Sequence, residues 1–197
     1  MLIDPEILTQ AGGILKWYKK NKRIFLENEM PENYYQIVTG LVKLANVNDR
    51  GKEFIQGIFR PGECFGEPPL FLGKEYFASA CAMVDCEIYE LPRDAFFKIL
   101  KKHPEIEMMF LKNFANRIYN RSLASRNIIS NDPVQRITGF FDQYKQGTNS
   151  STERMKIPFT RQEIANFTGL RVETVIRTLI RMKEENQVEI ADRKIYY

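Results

Sequence analysis

Residues 160–184, TRQEIANFTGLRVETVIRTLIRMKE, have the pattern of two helices joined by a tight turn. Thr160 can cap the first helix, and Glu163 three residues later completes a capping box, in which each residue satisfies a backbone N–H of the other. Gly169 follows Ala165 by four residues, where a turn between crossing helices needs a positive φ or a close approach of the backbones. The stretch predicts a helix-turn-helix whose inward-facing side chains are Ile164, Ala165, Leu170, Val175 and Leu179.

The outward side of the second predicted helix has side chains that can read DNA bases. Glu173 and Arg177 are four residues apart and therefore share one face of the helix. Arginine can donate two hydrogen bonds to guanine and glutamate can accept one from cytosine, so the two together can read a G·C pair and its neighbour. The alternative is an ordinary ion pair on the surface of the helix. The residues expected to contact DNA are Arg161, Arg171, Val172, Glu173, Thr174, Ile176 and Arg177.

The charge of this region favours a nucleic acid as the partner. From Arg154 to Lys183 there are seven Lys or Arg and two acidic residues, and the stretch that follows is acidic. Basic charge that is segregated in this way is what binding to phosphates requires. We therefore expect double-stranded DNA as the partner. We expect Arg161 and Thr174 to contact phosphates of the DNA backbone. We expect Val172 and Ile176 to pack against thymine methyl groups.

The same residues resemble a known family. GLRVETVIR, at 169–177, is similar to the recognition helix of the bacterial cyclic-AMP receptor/fumarate-nitrate regulator (CRP/FNR) family, and Val172 before Glu173 is closer to the fumarate-nitrate branch. The resemblance covers nearly the whole chain, because the first hundred residues also look like the sensor domain of that family. It implies an α+β protein with a jelly-roll-like β-barrel similar to a cyclic-nucleotide-binding domain at 1–103, a long dimerisation helix at 104–131, and a winged helix-turn-helix at 132–197 that ends in the wing strand KIYY.

Length and composition agree with this class of protein. The chain has 197 residues and a formal net charge of +4, and no apolar run approaches the about 18–20 residues that a membrane-spanning helix needs. The first twenty residues are too often interrupted by polar side chains for a secretory signal. Three cysteines, an odd number without a close pairing motif, argue against a disulfide framework. We expect a cytoplasmic protein that has no membrane partner.

The first hundred residues have the pattern of many short strands. The runs YYQIVTGLVKLANV at 34–47 and FASACAMVDCEIYEL at 77–91 are rich in β-formers, and turn signals such as RPGE separate such runs. Strands at this spacing indicate a closed barrel or a double sheet. One turn that usually reads Glu-Gly-Asp in the family is Glu27, Asn28, Glu29 here. Asparagine tolerates the left-handed conformation, so we expect the turn to be kept.

The resemblance also locates a candidate effector pocket. Relatives that bind nucleotides have a Phe-Gly-Glu motif before a short helix and an Arg-Ser pair on the next strand. This chain matches the first motif with Phe65, Gly66 and Glu67, but Tyr76 and Phe77 stand where the Arg and the Ser would be. A phosphate without the guanidinium loses a charge-assisted bidentate contact, and the two prolines after the motif remove two amide donors. We therefore expect no response to cyclic AMP, and the identity of any effector stays open.

Residue types bear on other effectors. The oxygen-sensing branch of the family holds an iron–sulfur cluster with cysteines grouped mainly near the N-terminus, whereas Cys64, Cys81 and Cys86 all lie within the β region. We expect core thiols, with a redox-responsive thiol as the alternative. The only histidine, His103, precedes Pro104 and is expected to be a surface or capping residue rather than a haem ligand. The same scarcity of histidine excludes a β-barrel metal enzyme. No cofactor and no enzymatic activity are predicted.

A long helix is predicted between the two halves of the chain. Pro104 is a natural first-turn residue, and the helical pattern continues to about Ser130. In the family this helix forms the homodimer. An ungapped alignment from Pro104 places Arg121 and Ser122 where relatives contact the base of the bound nucleotide; the alternative is a dimer seam that tolerates polar residues. The seam residues, spaced three and four apart, are Met108, Leu111, Ala115, Ile118, Ser122, Ser125 and Ile129.

A new helix is expected directly after the long one. Asn131 and Asp132 end the long helix, and Asp132 as N-cap with Pro133 at the first helical position begins the next. The polar loop 145–153 is expected to be a solvated linker, with contact to RNA polymerase as the alternative. RNA polymerase is the protein partner that we expect besides a second copy of the chain.

The predicted function is a homodimeric, sequence-specific transcription regulator. The symmetry of a dimer implies an inverted-repeat operator with half-sites about one helical turn apart. The alternative is a nucleotide-sensing regulatory module that acts through a protein partner. This alternative predicts that the phosphate-binding arginine is present and that the second helix of the helix-turn-helix is not basic. In this chain the arginine is missing and the second helix is basic. The effector, the regulated genes and the choice between activation and repression are left open.

Overall fold

The computed structural model describes residues 2–128, 132–146 and 154–197, with side chains throughout except at 120, 121, 123–128 and 146. The chain divides into two compact units, Met1–Asn116 and Arg117–Tyr197. The elements of the first unit are α1 (Pro5–Gln10), β1 (Ile14–Tyr18), β2 (Arg23–Phe25), β3 (Asn33–Thr39), β4 (Val42–Val47), β5 (Glu53–Phe59), β6 (Cys64–Phe65), α2 (Glu67–Leu72), β7 (Ser79–Ala82), β8 (Cys86–Pro92) and α3 (Arg93–Lys102). Helix α4 (Pro104–Ile128) begins in the first unit and continues into the second.

The described strands of the first unit form two antiparallel sheets of four strands each. Their orders are β1-β8-β3-β6 and β2-β7-β4-β5. Side chains from both sheets meet in one apolar core, which includes Phe25, Tyr35, Phe65, Tyr76 and Ile88. This double-sheet arrangement confirms the predicted jelly-roll-like architecture.

Two tight turns between strands depend on residues that tolerate a positive φ. Gly40 has φ 93°, and a Cβ at this position would lie 2.5 Å from Cys86 Sγ and 2.6 Å from the Asp85 carbonyl oxygen. No other residue fits there. Asn28 has φ 68°, and its N–H donates to the Tyr76 carbonyl at 2.8 Å. The turn in which asparagine replaces the usual glycine is therefore kept, as predicted.

A second apolar cluster holds α1, α3 and the start of α4 against the barrel. Tyr34 stacks on Phe96 with 4.6 Å between ring centroids, and Phe110 of α4 meets Phe96 edge-on at 5.4 Å. His103 is the C-cap of α3, and its Nδ1 lies 3.0 Å from a Glu105 carboxylate oxygen. His103 is thus the capping residue that the sequence predicts. The predicted end of the long helix near Ser130, the seam residue Ile129 and the Ser125 side chain lie outside the described residues.

The second unit contains three helices and a small sheet in the described residues that follow α4. These elements are α5 (Pro133–Gln146), β9 (Lys156–Ile157), α6 (Arg161–Thr168), α7 (Val172–Glu184), β10 (Glu189–Ala191) and β11 (Lys194–Tyr196). The sheet order β10-β11-β9 gives the wing, and KIYY supplies its last strand as predicted. Asp132 Oδ1 accepts from the Val134 N–H at 3.0 Å, which confirms it as the N-cap of α5. Residues 147–153 of the predicted linker lie outside the described residues.

No helix in the described part of the chain combines the length and the apolar character that crossing a membrane requires.

Candidate nucleic-acid interface

The start of α6 is fixed by the predicted capping box. The Thr160 N–H donates to the Glu163 carboxylate at 2.7 Å, and the Glu163 N–H donates to Thr160 Oγ1 at 3.2 Å. The helix ends at Gly169, whose φ of 71° is left-handed as expected. Ile164 and Ala165 are buried. The capping box therefore fixes the start of α6, and the left-handed glycine fixes its end and the turn that leads into α7.

Helix α7 has one buried and one exposed side, in phase with 3.6 residues per turn. Leu170, expected to face inward, is only half-buried, because it lies in the turn before the helix rather than on it. The buried side consists of Val175, Thr178, Leu179 and Met182. Among the residues predicted to contact DNA, Arg171, Glu173, Ile176 and Arg177 are exposed, and Val172 and Thr174 are half-buried at the edge of the exposed side.

The exposed face of α7 carries two charges that form no ion pair among the described residues. Glu173 and Arg177 lie one turn apart, yet in the described part of the chain neither forms an ion pair. The alternative of an ordinary surface ion pair is therefore wrong for this structure. Arg181, one turn further on, does form ion pairs: its Nη2 lies 3.5 Å from Asp132 Oδ1, and its Nε lies 3.9 Å from Glu185 Oε1. In the first two turns of the helix, Glu173 and Arg177 therefore present charges that are free of ion pairs among the described residues.

The wing is tied to α6 by an arginine that the sequence assigned to phosphate contact. Arg161 Nη1 donates to the carbonyl oxygen of Arg193, which lies in the turn between β10 and β11. Asp192 and Arg193 both have positive φ, at 47° and 61°. One edge of the Arg161 guanidinium is therefore occupied in holding the wing, a contact that no local sequence signal indicates, since the two residues are 32 positions apart.

The predicted effector motif lies at the start of α2. Gly66 is the residue before the helix and has φ 75°, and Glu67 in the first turn is 1 % exposed. Pro68 and Pro69 follow within the same turn, so two of the amides that could otherwise donate to a phosphate are missing.

Tyr76 fills the interior of the barrel next to this motif. It is 3 % exposed, and its ring stacks on Phe25 with 3.6 Å between centroids and 8° between planes. A Cβ on Gly66 would lie 2.9 Å from the Phe25 ring and 3.1 Å from the Tyr76 ring, so these side chains pack directly against the motif. Phe77 does not join them: its side chain is exposed, while its carbonyl accepts from Asn46 Nδ2 at 2.6 Å.

Negative charge is disfavoured around the Tyr76 ring. Burial raises the pKa of Tyr76 far above its ordinary value, and Tyr35 and nearby carboxylates, among them Glu67, raise it further. Burial, followed by the charge of Glu90, raises the pKa of Tyr35 to about 12. A cyclic phosphate placed here would meet desolvation and the negative charge of these carboxylates, and both disfavour it.

Two aromatic partners at this site were not found from the sequence. Phe25 and Tyr35 carry no motif. Phe25 meets Tyr76 because β2 pairs with β7 and because Tyr76, just before β7, exchanges backbone hydrogen bonds with Asn28 and Glu29, just after β2. Of the two helix residues aligned with nucleotide contacts, the Arg121 side chain lies outside the described residues. Ser122 is exposed and donates to the Ile118 carbonyl of its own helix at 2.9 Å.

The three thiols lie in the β-sandwich as predicted. Cys64 and Cys86 are fully buried, Cys81 is half-buried, and none of the three forms a disulfide within the described residues. Burial raises the pKa of both Cys81 and Cys86, so these thiols stay protonated near neutral pH.

Helix α4 presents a stripe of exposed apolar side chains in addition to its buried side. Ile106 and Phe110 are buried against the barrel. The seam residues Met108, Leu111 and Ile118 are exposed, Ile118 by 67 %. Their spacing of three and four residues, continued by the exposed Ala115 and Ser122, places them along one line of the helix.

Comparisons with known proteins match both parts of the chain to known domains. Residues 15–103 match the family described as cyclic nucleotide-binding domain, and residues 135–196 match the Crp-like helix-turn-helix domain. The nitrogen fixation regulation protein FixK of Azorhizobium caulinodans is 26 % identical over 94 % of this chain and 75 % of its own length. The cAMP-activated global transcriptional regulator CRP of Haemophilus influenzae is 27 % identical over 98 % of this chain and 91 % of its own length.

A solved structure shows the same fold. FixK2 from Bradyrhizobium japonicum superposes with a TM-score of 0.80 at 22 % identity, covering 93 % of this chain and 91 % of that one. The capped helix-turn-helix, the sandwich with its Phe-Gly-Glu turn and the two family matches lead to one conclusion: the chain belongs to the CRP/FNR family of DNA-binding transcription regulators.

Proposed function

We propose that this regulator acts as a homodimer that reads an inverted-repeat operator through α7 and does not respond to cyclic AMP. The observation that carries the proposal is the exposed face of α7, where Glu173 and Arg177 form no ion pair in the described part of the chain. Both side chains are available for base edges. Arg171 at the N-cap, together with the backbone N–H groups of the first turn, supplies contacts to phosphates.

The dimer is supported by the apolar stripe of α4. Met108, Leu111 and Ile118 expose large apolar side chains in a line. A helix normally buries such a stripe, because apolar surface is stabilised when it is removed from water. A second copy of α4 would cover the stripe on both chains at once, since a two-fold axis brings the same residues together. The operator then has two half-sites related by the same symmetry.

The absence of a cyclic-AMP response is supported by the interior of the barrel. Tyr76, which stands in the sequence where nucleotide-binding relatives are expected to have an arginine, stacks on Phe25, and Glu67 adds a carboxylate near it. Candidate pocket residues therefore supply aromatic surface and negative charge. A phosphate needs positive charge and hydrogen-bond donors instead.

The proposed setting is the cytoplasm, where chromosomal DNA is available to bind, and the proposed protein partner on DNA is RNA polymerase.

Selection of binding sites from random DNA with the full-length protein tests the proposal. Enrichment of an inverted repeat with a G·C pair in each half-site, about 10 base pairs apart from centre to centre, is the expected result. Adding cyclic AMP should change neither the selected sequence nor its affinity. A selected site without two-fold symmetry, or no selected sequence at all, would contradict the proposed mode of binding.

A further inference from the structure

The turn of the wing contains a residue that its backbone conformation disfavours. Ala191 pairs with Lys194 across β10 and β11, so Asp192 and Arg193 form a two-residue hairpin turn. Both have positive φ, at 47° and 61°. A turn of this kind favours asparagine or aspartate at its first position and glycine at its second. Asp192 agrees with this preference, whereas Arg193 does not, because a Cβ is unfavourable in the left-handed conformation.

The arginine side chain at this position contributes little to the fold. The hydrogen bond that ties the turn to α6 uses the backbone carbonyl of Arg193, which any residue could supply to Arg161. The Arg193 side chain is exposed and forms no ion pair among the described residues. Glycine would therefore keep the contact and remove the strain. Residues that strain their own backbone cluster where the side chain is needed for function.

The position of the turn relative to α6 and α7 indicates what this side chain can reach. All three lie in one compact unit, Arg117–Tyr197. When α7 occupies a major groove, we expect Arg161 at the start of α6 to contact a phosphate on the backbone strand that borders this groove. Arg193 is bonded to the Arg161 guanidinium and is therefore expected beside the same strand. The minor groove, about 6 Å wide in B-DNA, lies on the other side of that strand.

We propose that Arg193 enters the minor groove beside each half-site and favours A·T pairs there. The inference rests on the proposed function, because α7 must first place this unit on DNA. Runs of A·T pairs narrow the minor groove and strengthen its negative potential, which attracts an inserted arginine. A G·C pair instead presents the amino group of guanine in this groove, a donor that cannot pair with the donors of a guanidinium. A contact to phosphate alone would carry no base preference.

The experiment uses the full-length protein and one selected operator in three versions. They differ only in the base pairs directly beside those that α7 selects, which are A·T, G·C or inosine·cytosine. Inosine lacks the minor-groove amino group of guanine and keeps its major-groove acceptors, so it separates the two grooves. The test variants are Arg193→Gly and Arg193→Lys. The matched control is Lys194→Gln, which removes the same charge from the neighbouring exposed residue. Fluorescence anisotropy gives the affinities, and thermal unfolding gives the stabilities.

The expected result is a base preference that depends on Arg193. The wild-type protein should bind the A·T and inosine·cytosine versions about tenfold more tightly than the G·C version. Arg193→Gly should bind all three equally and should melt no lower than the wild-type protein, because glycine relieves the left-handed position. Arg193→Lys should lose most of the preference although it keeps the charge, since an ammonium is more strongly hydrated than a guanidinium. Lys194→Gln should keep the full preference.

Several outcomes would overturn the inference. Equal affinity of the wild-type protein for all three versions would mean that no minor-groove preference exists. An inosine·cytosine version that behaves like G·C would place the contact in the major groove. A preference that survives in Arg193→Gly, or is lost equally in Lys194→Gln, would remove Arg193 from base selection. A lower melting temperature of Arg193→Gly would mean that the arginine serves the stability of the wing.

A different result would count against the proposed function. If the wild-type protein discriminates none of the base pairs assigned to α7, whatever the flanking pairs, then α7 does not read the operator. The preference beside the half-sites is measured on operators that share the α7 bases, so the two failures are distinguishable.

Discussion

Two residues of α7 show how sequence-specific binding can be built on a helix without loss of stability. Glu173 and Arg177 lie on the exposed side and contribute nothing to the core, which Val175 and Leu179 form on the opposite side. Changing the exposed pair should therefore alter DNA recognition and leave folding intact.

Replacement of Arg177 by Ala should cost about 1–3 kcal/mol of binding free energy at the selected operator and relax the preference at one base pair, because a bidentate contact to guanine is lost. Affinity for operators substituted at each position, measured by fluorescence anisotropy, checks this. Arg161→Ala is the contrast: we expect it to weaken all sequences alike and to lower the salt dependence. Equal losses on operator and random DNA for Arg177→Ala would rule out base reading by this residue.

Tyr76 is a residue whose ring and hydroxyl have opposite effects on stability. Its ring packs on Phe25, but its buried hydroxyl has no hydrogen-bond partner among the described residues. Tyr76→Phe should therefore raise the free energy of unfolding by about 1 kcal/mol, since an unsatisfied polar group is removed and the ring is kept. Tyr34→Phe is the matched control. It removes a buried hydroxyl that donates to Gln36 Oε1 at 2.8 Å, and it should lower the free energy of unfolding.

The pH dependence of unfolding gives a second check on Tyr76. Because burial raises the pKa of this hydroxyl in the folded protein, the unfolded chain loses the proton first as the pH rises past the ordinary value of about 10. Stability should therefore be unaffected by this group below that pH and should fall above it. Denaturant unfolding between pH 8 and 11 should show a shallower fall for Tyr76→Phe. Identical slopes for the two proteins would mean that the hydroxyl is not buried in solution.

At the scale of single elements, α4 has two apolar sides with different partners. Ile106 and Phe110 hold the start of the helix on the barrel, while the seam residues Met108, Leu111 and Ile118 are exposed. A helix with apolar residues on only its barrel side would need no further partner. The second side is the reason for expecting a dimer.

Replacement of Leu111 and Ile118 by Asp should convert the dimer to monomers, because two like charges on each chain would meet their symmetry mates in a desolvated interface. Sedimentation velocity should show the change, and the monomers should bind single half-sites weakly. Lys112→Asp combined with Asn116→Asp is the control, since both positions are exposed and lie outside the seam. A double seam variant that stays dimeric would place the dimer interface elsewhere.

For the whole molecule, the question is what the sensor unit contributes to DNA binding. The fold of a cyclic-nucleotide-binding domain is present, yet its interior holds a stack of aromatic rings from Phe25, Tyr35, Phe65 and Tyr76. A shared fold does not carry a shared ligand, because ligand choice depends on a few side chains inside it.

Millimolar cyclic AMP should neither raise the melting temperature of the protein nor tighten its binding to the operator. A ligand present at a hundred times its dissociation constant would add about 2.7 kcal/mol of stability, which thermal unfolding detects readily. Calorimetry offers an independent measurement. Micromolar binding of cyclic AMP that is lost on Glu67→Ala would prove the prediction wrong and would make this protein a nucleotide sensor.

The sequence by itself determined those features that depend on neighbours along the chain. The capping box of Thr160 and Glu163, the left-handed turn at Gly169 and the 3.6-residue period of α7 all act within four residues, so the helix-turn-helix was predictable, although Leu170 lies in the turn and not on the second helix. Asn28 kept its turn for the same local reason.

Only the tertiary structure decided the contacts between distant segments. The stacking of Tyr76 on Phe25 joins residues 51 positions apart through the pairing of β2 with β7, and the Arg161 contact to the wing spans 32 positions. It also showed that Glu173 and Arg177 stay apart, since two side chains four residues apart on a helix can pair or separate with little difference in free energy. Long-range packing has no periodicity in the sequence, because which strands pair is settled by the burial of the whole core.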